Sequence, residues 1–183
     1  MALPSTVYKA QLQVADMDRH YYADHALTVA CHPSETHERM MVRVLAFALH
    51  ADEMLAFGRG LSAEGEPDLV RADLTGAISL WIEVGLPDEK ALRKACGRAE
   101  QVVLYVYGRA ADVWWDTNRK GLLRLSNLTV IRLDPAVTKA LGDMVERTMQ
   151  LQCNIQDEEV WFGNGQQNVD VVRDILHAPP STR

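Results

Sequence analysis

Three carboxylates stand where acidic side chains can work together. Glu38 falls at the centre of an apolar stripe made by Met41, Val42, Leu45 and Leu49, so a helical period turns it toward the interior. A carboxylate buried without compensation is costly, so Glu38 needs an arginine, a hydrogen-bond network or a metal ion. Glu83 ends a strand-like run, on the face opposite Ile78, Leu80, Ile82 and Val84, just before Gly85-Leu86-Pro87 breaks the chain. Functional sites gather at strand ends of open α/β sheets, although a solvated glutamate is the simpler role for this residue taken alone. Asp73 lies ten positions earlier, just ahead of Thr75-Gly76. If its segment is the first arm of a hairpin, its carboxylate approaches Glu83. Two carboxylates at one spot share a proton or hold a hard divalent cation.

The elements that must position these residues read as follows. Thr6 to Val14 and Ala26 to Ala30 are extended, with the polar turn Asp16-Met17-Asp18-Arg19 between them. His32-Pro33-Ser34 halts the second segment. Ser34 then caps a helix running to about Asp52, with Glu35 at its electropositive start. Gly58 to Asp68 has loop composition, and Ala77 to Val84 alternates as a strand. Helices are predicted over Asp88 to Ala99, Arg109 to Arg119 and, behind Asp134-Pro135, to about Glu146. Val102 to Tyr107 is a buried strand and Leu128 to Leu133 another. Thr148 to Ile155 and Val160 to Phe162 flank a turn at Asp157-Glu158-Glu159. The alternation predicts an α/β fold, a single compact domain over residues 1–177 with a mixed β-sheet flanked by helices. Residues 178–183 form a flexible C-terminal tail.

Composition sets limits on partners and compartment. The 183 residues are 48% hydrophobic and 24% charged, which excludes collagenous and wholly disordered chains. Acidic residues number 25 against 19 basic, a net charge of −6, which disfavours a general nucleic-acid partner and leaves a protein partner open. No stretch is apolar enough over a sufficient length to span a membrane. The three cysteines, Cys31, Cys96 and Cys153, lack CxxC spacing, and the first residues carry no signal-peptide pattern. A cytoplasmic location is expected.

Other side chains carry weaker signals. No glycine-rich phosphate loop is present, and His32 and His37 lack the spacing of a metal site. Arg59, between Gly58 and Gly60, could reach an anionic ligand or pair with Glu38. Trp114 and Trp115 are adjacent and diverge on a helix, which does not make a base-stacking platform.

The segments His32-Pro33-Ser34-Glu35-Thr36, Glu38-Arg39-Met40-Met41, Arg59-Gly60-Leu61-Ser62, Leu80-Trp81-Ile82-Glu83, Gly85-Leu86-Pro87-Asp88-Glu89 and Lys94-Ala95-Cys96 closely resemble the bacterial YaeQ family. So do Trp114-Trp115, Arg147-Thr148-Met149 and Ile155-Gln156-Asp157, so the resemblance spans nearly the whole chain in order. It implies a restriction-endonuclease-like, PD-(D/E)XK variant fold, for a family with no securely assigned activity. In that superfamily a helix carries a Glu, one strand an Asp and the next strand (D/E)XK. The resemblance places those roles on Glu38, Asp73 and Glu83. Pro67-Asp68 matches the motif literally, but it lies in loop composition, and Asp73 is preferred as nearer the hairpin.

One departure is plain. The position two after Glu83 is Gly85, where the motif has lysine. Lys90 and Lys94 are candidate replacements, yet their helical positions oppose the apolar face of Leu92, Ala95, Cys96 and Ala99. Two functions follow from the resemblance. One is a metal-dependent phosphodiester hydrolase, in which Asp73 and Glu83 hold Mg²⁺ or Mn²⁺ and Glu38 orients the activated water. The other is a non-catalytic descendant acting as a binding or regulatory module.

Overall fold

The protein is described by a computed structural model covering residues 3–59, 61 and 64–180. Parts of the expected loop at Gly60, Ser62 and Ala63, and of the tail from Ser181, lie outside the described residues. Strands β1 (Thr6–Asp16) and β2 (Tyr21–Cys31) form a long antiparallel hairpin. Helix α1 (His37–Leu49) follows, then the short strands β3 (Leu55–Phe57) and β4 (Leu69–Ala72) and the strand β5 (Ile78–Val84). Helix α2 (Glu89–Cys96), β6 (Ala99–Val106), α3 (Ala111–Leu122), β7 (Leu128–Leu133) and α4 (Pro135–Asp143) alternate through the middle. Strands β8 (Thr148–Gln156), β9 (Glu159–Gly163), β10 (Asn168–Asp170) and β11 (Arg173–His177) end the chain.

These strands make two sheets, where the alternation pattern suggested one. The first has the order β10-β9-β8-β1-β2 and the second β11-β7-β6-β5-β4-β3. The split arises because β1 takes β8 as its second neighbour, in parallel, instead of a strand from the middle of the chain. Period-2 patterning shows which face of a strand is buried but not which strand it pairs with.

Helix α1 lies between the sheets. Every residue from Met40 to Ala48 is buried, which marks a helix enclosed on all sides. Its core joins Ala10, Leu12 and Val14 of β1 to Leu80, Ile82 and Val84 of β5. A second core fills the other face of the second sheet, where Trp81, Leu104 and Val130 meet Leu92 of α2 and Leu122 of α3. The second sheet thus has helices on both faces, while the outer face of the first is open, lined by exposed side chains such as Gln11, Gln13, Gln150 and Gln152.

Local signals differ from expectation at α1. Thr36, not Ser34, caps it, its hydroxyl accepting from the Arg39 amide at 3.1 Å. Glu35 therefore lies outside the helix. At α4 the expected Asp134 cap and Pro135 first turn are both present. Among the described residues no helix is long and apolar enough to cross a membrane.

Candidate functional site

Strands β5, β6 and β7 run parallel, and their carboxyl ends open beside the start of α1. There a ladder of opposite charges crosses the molecule. Arg43, 1% exposed on α1, donates from Nη2 to the Ala30 carbonyl of β2 at 2.7 Å and to Glu35 Oε2 at 2.7 Å. Its Nε reaches Glu35 Oε1 at 2.8 Å, and Arg39 Nη1 reaches the same oxygen at 2.9 Å. Arg39 Nη2 then bonds Asp68 Oδ1 at 2.9 Å, Asp68 Oδ2 at 3.0 Å and the Val84 carbonyl at 3.1 Å. The Val84 amide closes the ladder on Asp68 Oδ2 at 2.7 Å. Two guanidinium groups balance two buried carboxylates, so no charge in the ladder is left alone.

Glu83 stands beside this ladder. Asp68 directly precedes β4 and lies across from Glu83, because Leu69 pairs with Ile82 in the antiparallel hairpin. The Trp81 indole donates to Glu83 Oε1 at 2.8 Å. Burial pushes the Glu83 carboxyl up to about 7; the Trp81 bond and Arg39 pull it down, while Asp68 pushes it further up. Burial likewise raises Asp68, against the pull of Arg39 and the Val84 amide. Tyr107, just after β6, is the nearby phenol, raised by burial.

The three carboxylates expected together are not brought together. Asp73 is exposed at the far tip of the β4–β5 hairpin, where it accepts from the Thr75 amide at 2.8 Å, the Thr75 hydroxyl at 2.6 Å and the Ala77 amide at 3.0 Å. These bonds hold its carboxyl below the usual range. At a strand rise of about 3.3 Å per residue, it lies roughly 20 Å from Glu83. Asp73 shapes a turn, and the structure does not bring it to Glu83, with which it was expected to hold a metal ion. Glu38 points to α4, where the buried Thr138 hydroxyl donates to its carboxylate. Its backbone lies against Gly142, where an added Cβ would come 3.3 Å from the Glu38 Cα. A neighbouring hydroxyl supplies what burial demanded, and Glu38 does not join Glu83.

The residues present do not fit a divalent ion. Mg²⁺ and Mn²⁺ want several free oxygens in a near-octahedral set. Both Asp68 oxygens and the Val84 carbonyl are already engaged by Arg39. Among the described residues no group of three or more His, Cys, Asp or Glu is arranged to hold a metal. Lys90 and Lys94 are exposed on α2, and exposed Arg59 pairs with the half-buried Glu66 instead of Glu38.

The sequence ranks Asp68 behind Asp73 and offers Glu35 only as a favourable charge at a helix start, and it does not single out Arg39 or Arg43. Their signals were present: Pro67-Asp68 is the literal motif, and Glu35, Arg39 and Arg43 recur at intervals of four, the latter two on one face of a helix.

Fold and centre together define a two-sheet α/β protein with an ion-pair ladder at the carboxyl ends of its parallel strands. The chain belongs to the YaeQ family, whose profile, described as YaeQ protein, matches residues 1–173. It is 48% identical to a protein of Salmonella typhi named "Uncharacterized protein YaeQ", over 93% of this chain and 95% of that one. With the Escherichia coli K12 protein of the same name, identity is 47% over the same shares. The crystal structure of the YaeQ protein from Xanthomonas axonopodis pv. citri superposes with a TM-score of 0.92 at 49% identity, covering 96% of this chain and 99% of that one. That of the YaeQ protein from Pseudomonas syringae gives 0.93 at 36% identity, covering 97% and 98%.

Proposed function

We propose that this chain is a variation on the PD-(D/E)XK framework that works as a non-catalytic binding or regulatory module. The observation that carries the reading is Arg39 Nη2, within hydrogen-bond distance of three oxygens of the β4–β5 hairpin. A guanidinium there neutralises the carboxylate that a catalytic ion would need. Gly85 supports the same reading. Its φ is 115°, a conformation that L side chains rarely adopt, so a lysine at that position would be strained.

The hydrolase reading keeps one observation in its favour, the juxtaposition of Asp68 and Glu83 across β4 and β5. Thermal melting with increasing Mn²⁺ separates the two readings, because an ion that binds only the folded state raises Tm by mass action. No saturable rise up to millimolar Mn²⁺ is expected. A saturable rise that disappears in Glu83→Ala, together with divalent-dependent cleavage of DNA or RNA that disappears in Asp68→Asn, would overturn the module reading.

A further inference from the structure

The outer face of the first sheet carries a tile of four amides. Gln11 and Gln13 of β1 are in register with Gln150 and Gln152 of β8, and all four are exposed. Asp24 and Ala26 of β2 stand beside Gln13 and Gln11, and Gly163 of β9 stands beside Gln152. The four amides and Asp24 surround a depression of about 320 Å³, within the range of small-molecule sites. A second depression, of about 200 Å³, reaches Glu146 and Gln166. Gln150 lines both, so the two adjoin as one trough with a carboxylate toward either end. Seven of the chain's eight glutamines lie in this sheet or its β9–β10 turn, so the amides are gathered and not scattered as general solubilising groups.

The lining selects among ligands. Among the described residues no Lys, Arg or His lines either depression, and the ionised groups are Asp24 and Glu146, so phosphates, nucleic acids and other anions are repelled. Lys9, the one cation of β1, donates to the Thr28 hydroxyl at 2.8 Å. Each primary amide offers two donors and an acceptor, and among the described residues no hydrogen bond engages those of the tile. A cationic ligand uses only acceptors and leaves every amide N–H idle. A peptide presents donors and acceptors whose roles its backbone fixes, whereas a hydroxyl turns to give or to accept. Strand addition is closed as well, because β1 and β8 lie inside the sheet with both neighbours in place.

We propose that this trough binds a neutral saccharide chain. The amides meet ring hydroxyls in both directions, and Asp24 and Glu146 accept from hydroxyls toward the two ends. Tyr22, 62% exposed, stands on the same face two residues from Asp24 and offers a ring against which the C–H face of a sugar packs. Adjoining depressions suit consecutive sugar units, so a chain gains over a single ring. Helix α1 packs on the opposite face of this sheet, against Ala10, Leu12 and Val14, so the trough is separate from the ion-pair ladder and does not depend on the reading of it.

Titration of the full chain, labelled with ¹⁵N and followed on the glutamine side-chain NH₂ resonances, tests the proposal. The probes are glucose, mannose and N-acetylglucosamine, each beside its trisaccharide (maltotriose, mannotriose and chitotriose). Saturable shifts of Gln11, Gln13, Gln150 and Gln152 are expected with at least one trisaccharide, which should bind at least about tenfold more tightly than its monosaccharide. Asp24→Ala, a change at an exposed side chain, should weaken binding at least about tenfold, and Gln150→Ala should shrink the advantage of the trisaccharide. Inorganic phosphate, spermidine and trialanine should leave the four resonances unmoved. The absence of a saturable shift with every sugar overturns the proposal, as do shifts confined to other residues or indifference to Asp24→Ala. An equal response to phosphate, spermidine or trialanine overturns it too, as do shifts that follow protein concentration alone, the mark of a second copy on this face.

Discussion

The Gly58 amide donates to the Asp68 carbonyl at 2.8 Å, and no side chain fits between the two segments. A Cβ on Gly58 would come within 2.0 Å of the Pro67 carbonyl oxygen, which is backbone and cannot swing aside. Gly58→Ala should therefore push the Pro67-Asp68 peptide outward and loosen the Arg39 bonds to Asp68. A loss of about 1–3 kcal/mol is expected in urea unfolding. An unchanged midpoint would show that the loop yields without cost.

Arg39 joins Glu35 to Asp68, and its removal leaves two buried carboxylates with fewer partners. Arg39→Met should cost about 3–5 kcal/mol at neutral pH, the range for breaking a buried ion pair from one side. The double variant Arg39→Met with Asp68→Asn should recover part of that loss, because one stranded charge is gone. Chemical denaturation of the four proteins in the cycle measures the coupling.

Glu83 gives a stability term that falls as pH rises. Its carboxyl titrates at about 7 in the folded protein against 4.5 when exposed. Between those values the native state holds more protons than the unfolded chain, so stability declines with increasing pH. Glu83→Gln removes the ionisation. It should be more stable than the parent by about 2 kcal/mol at pH 8, with residual exposure allowed for, and equal to it near pH 4. Urea unfolding across that range checks both ends.

His50 acts with the opposite sign. Burial, reinforced by Arg19, Arg71 and Arg173, lowers its imidazole to about 4 from the ordinary 6.5. Its Nε2 lies 2.7 Å from the Tyr105 hydroxyl. Between pH 6.5 and 4 the unfolded chain binds the extra proton, so stability drops as acid is added. His50→Gln should flatten that slope, and an unaltered acid limb would refute the assignment. The two groups oppose each other around pH 5–6, so the parent protein should show a shallow profile there.

Much of the frame was legible in the residues. Asp134-Pro135 announced α4, the alternation from Ile78 to Val84 announced β5, and the turn at Asp157-Glu158 announced β8 and β9. The short strands β3, β4 and β11 were not legible, because three to five half-exposed residues carry too little periodicity to stand out from loops. Asp68, the literal motif match, stood behind Asp73 for the same reason: it sits at the seam between a glycine-rich loop and a four-residue strand. Glu38 is central to the apolar stripe of Met41, Val42, Leu45 and Leu49 in the sequence. Since α1 is buried all round, that stripe has no privileged face, and Glu38 finds Thr138 where Arg39 finds the hairpin.

The enclosure of α1 bears on how the molecule comes apart. The first sheet cannot peel away without parting Ala30 from Arg43, nor the second without parting Asp68 from Arg39, and either departure strips cover from the helix, so partial opening of one half exposes much of the other's support. The two halves are bound into a single cooperative unit, and melting of the first sheet should coincide with melting of the second.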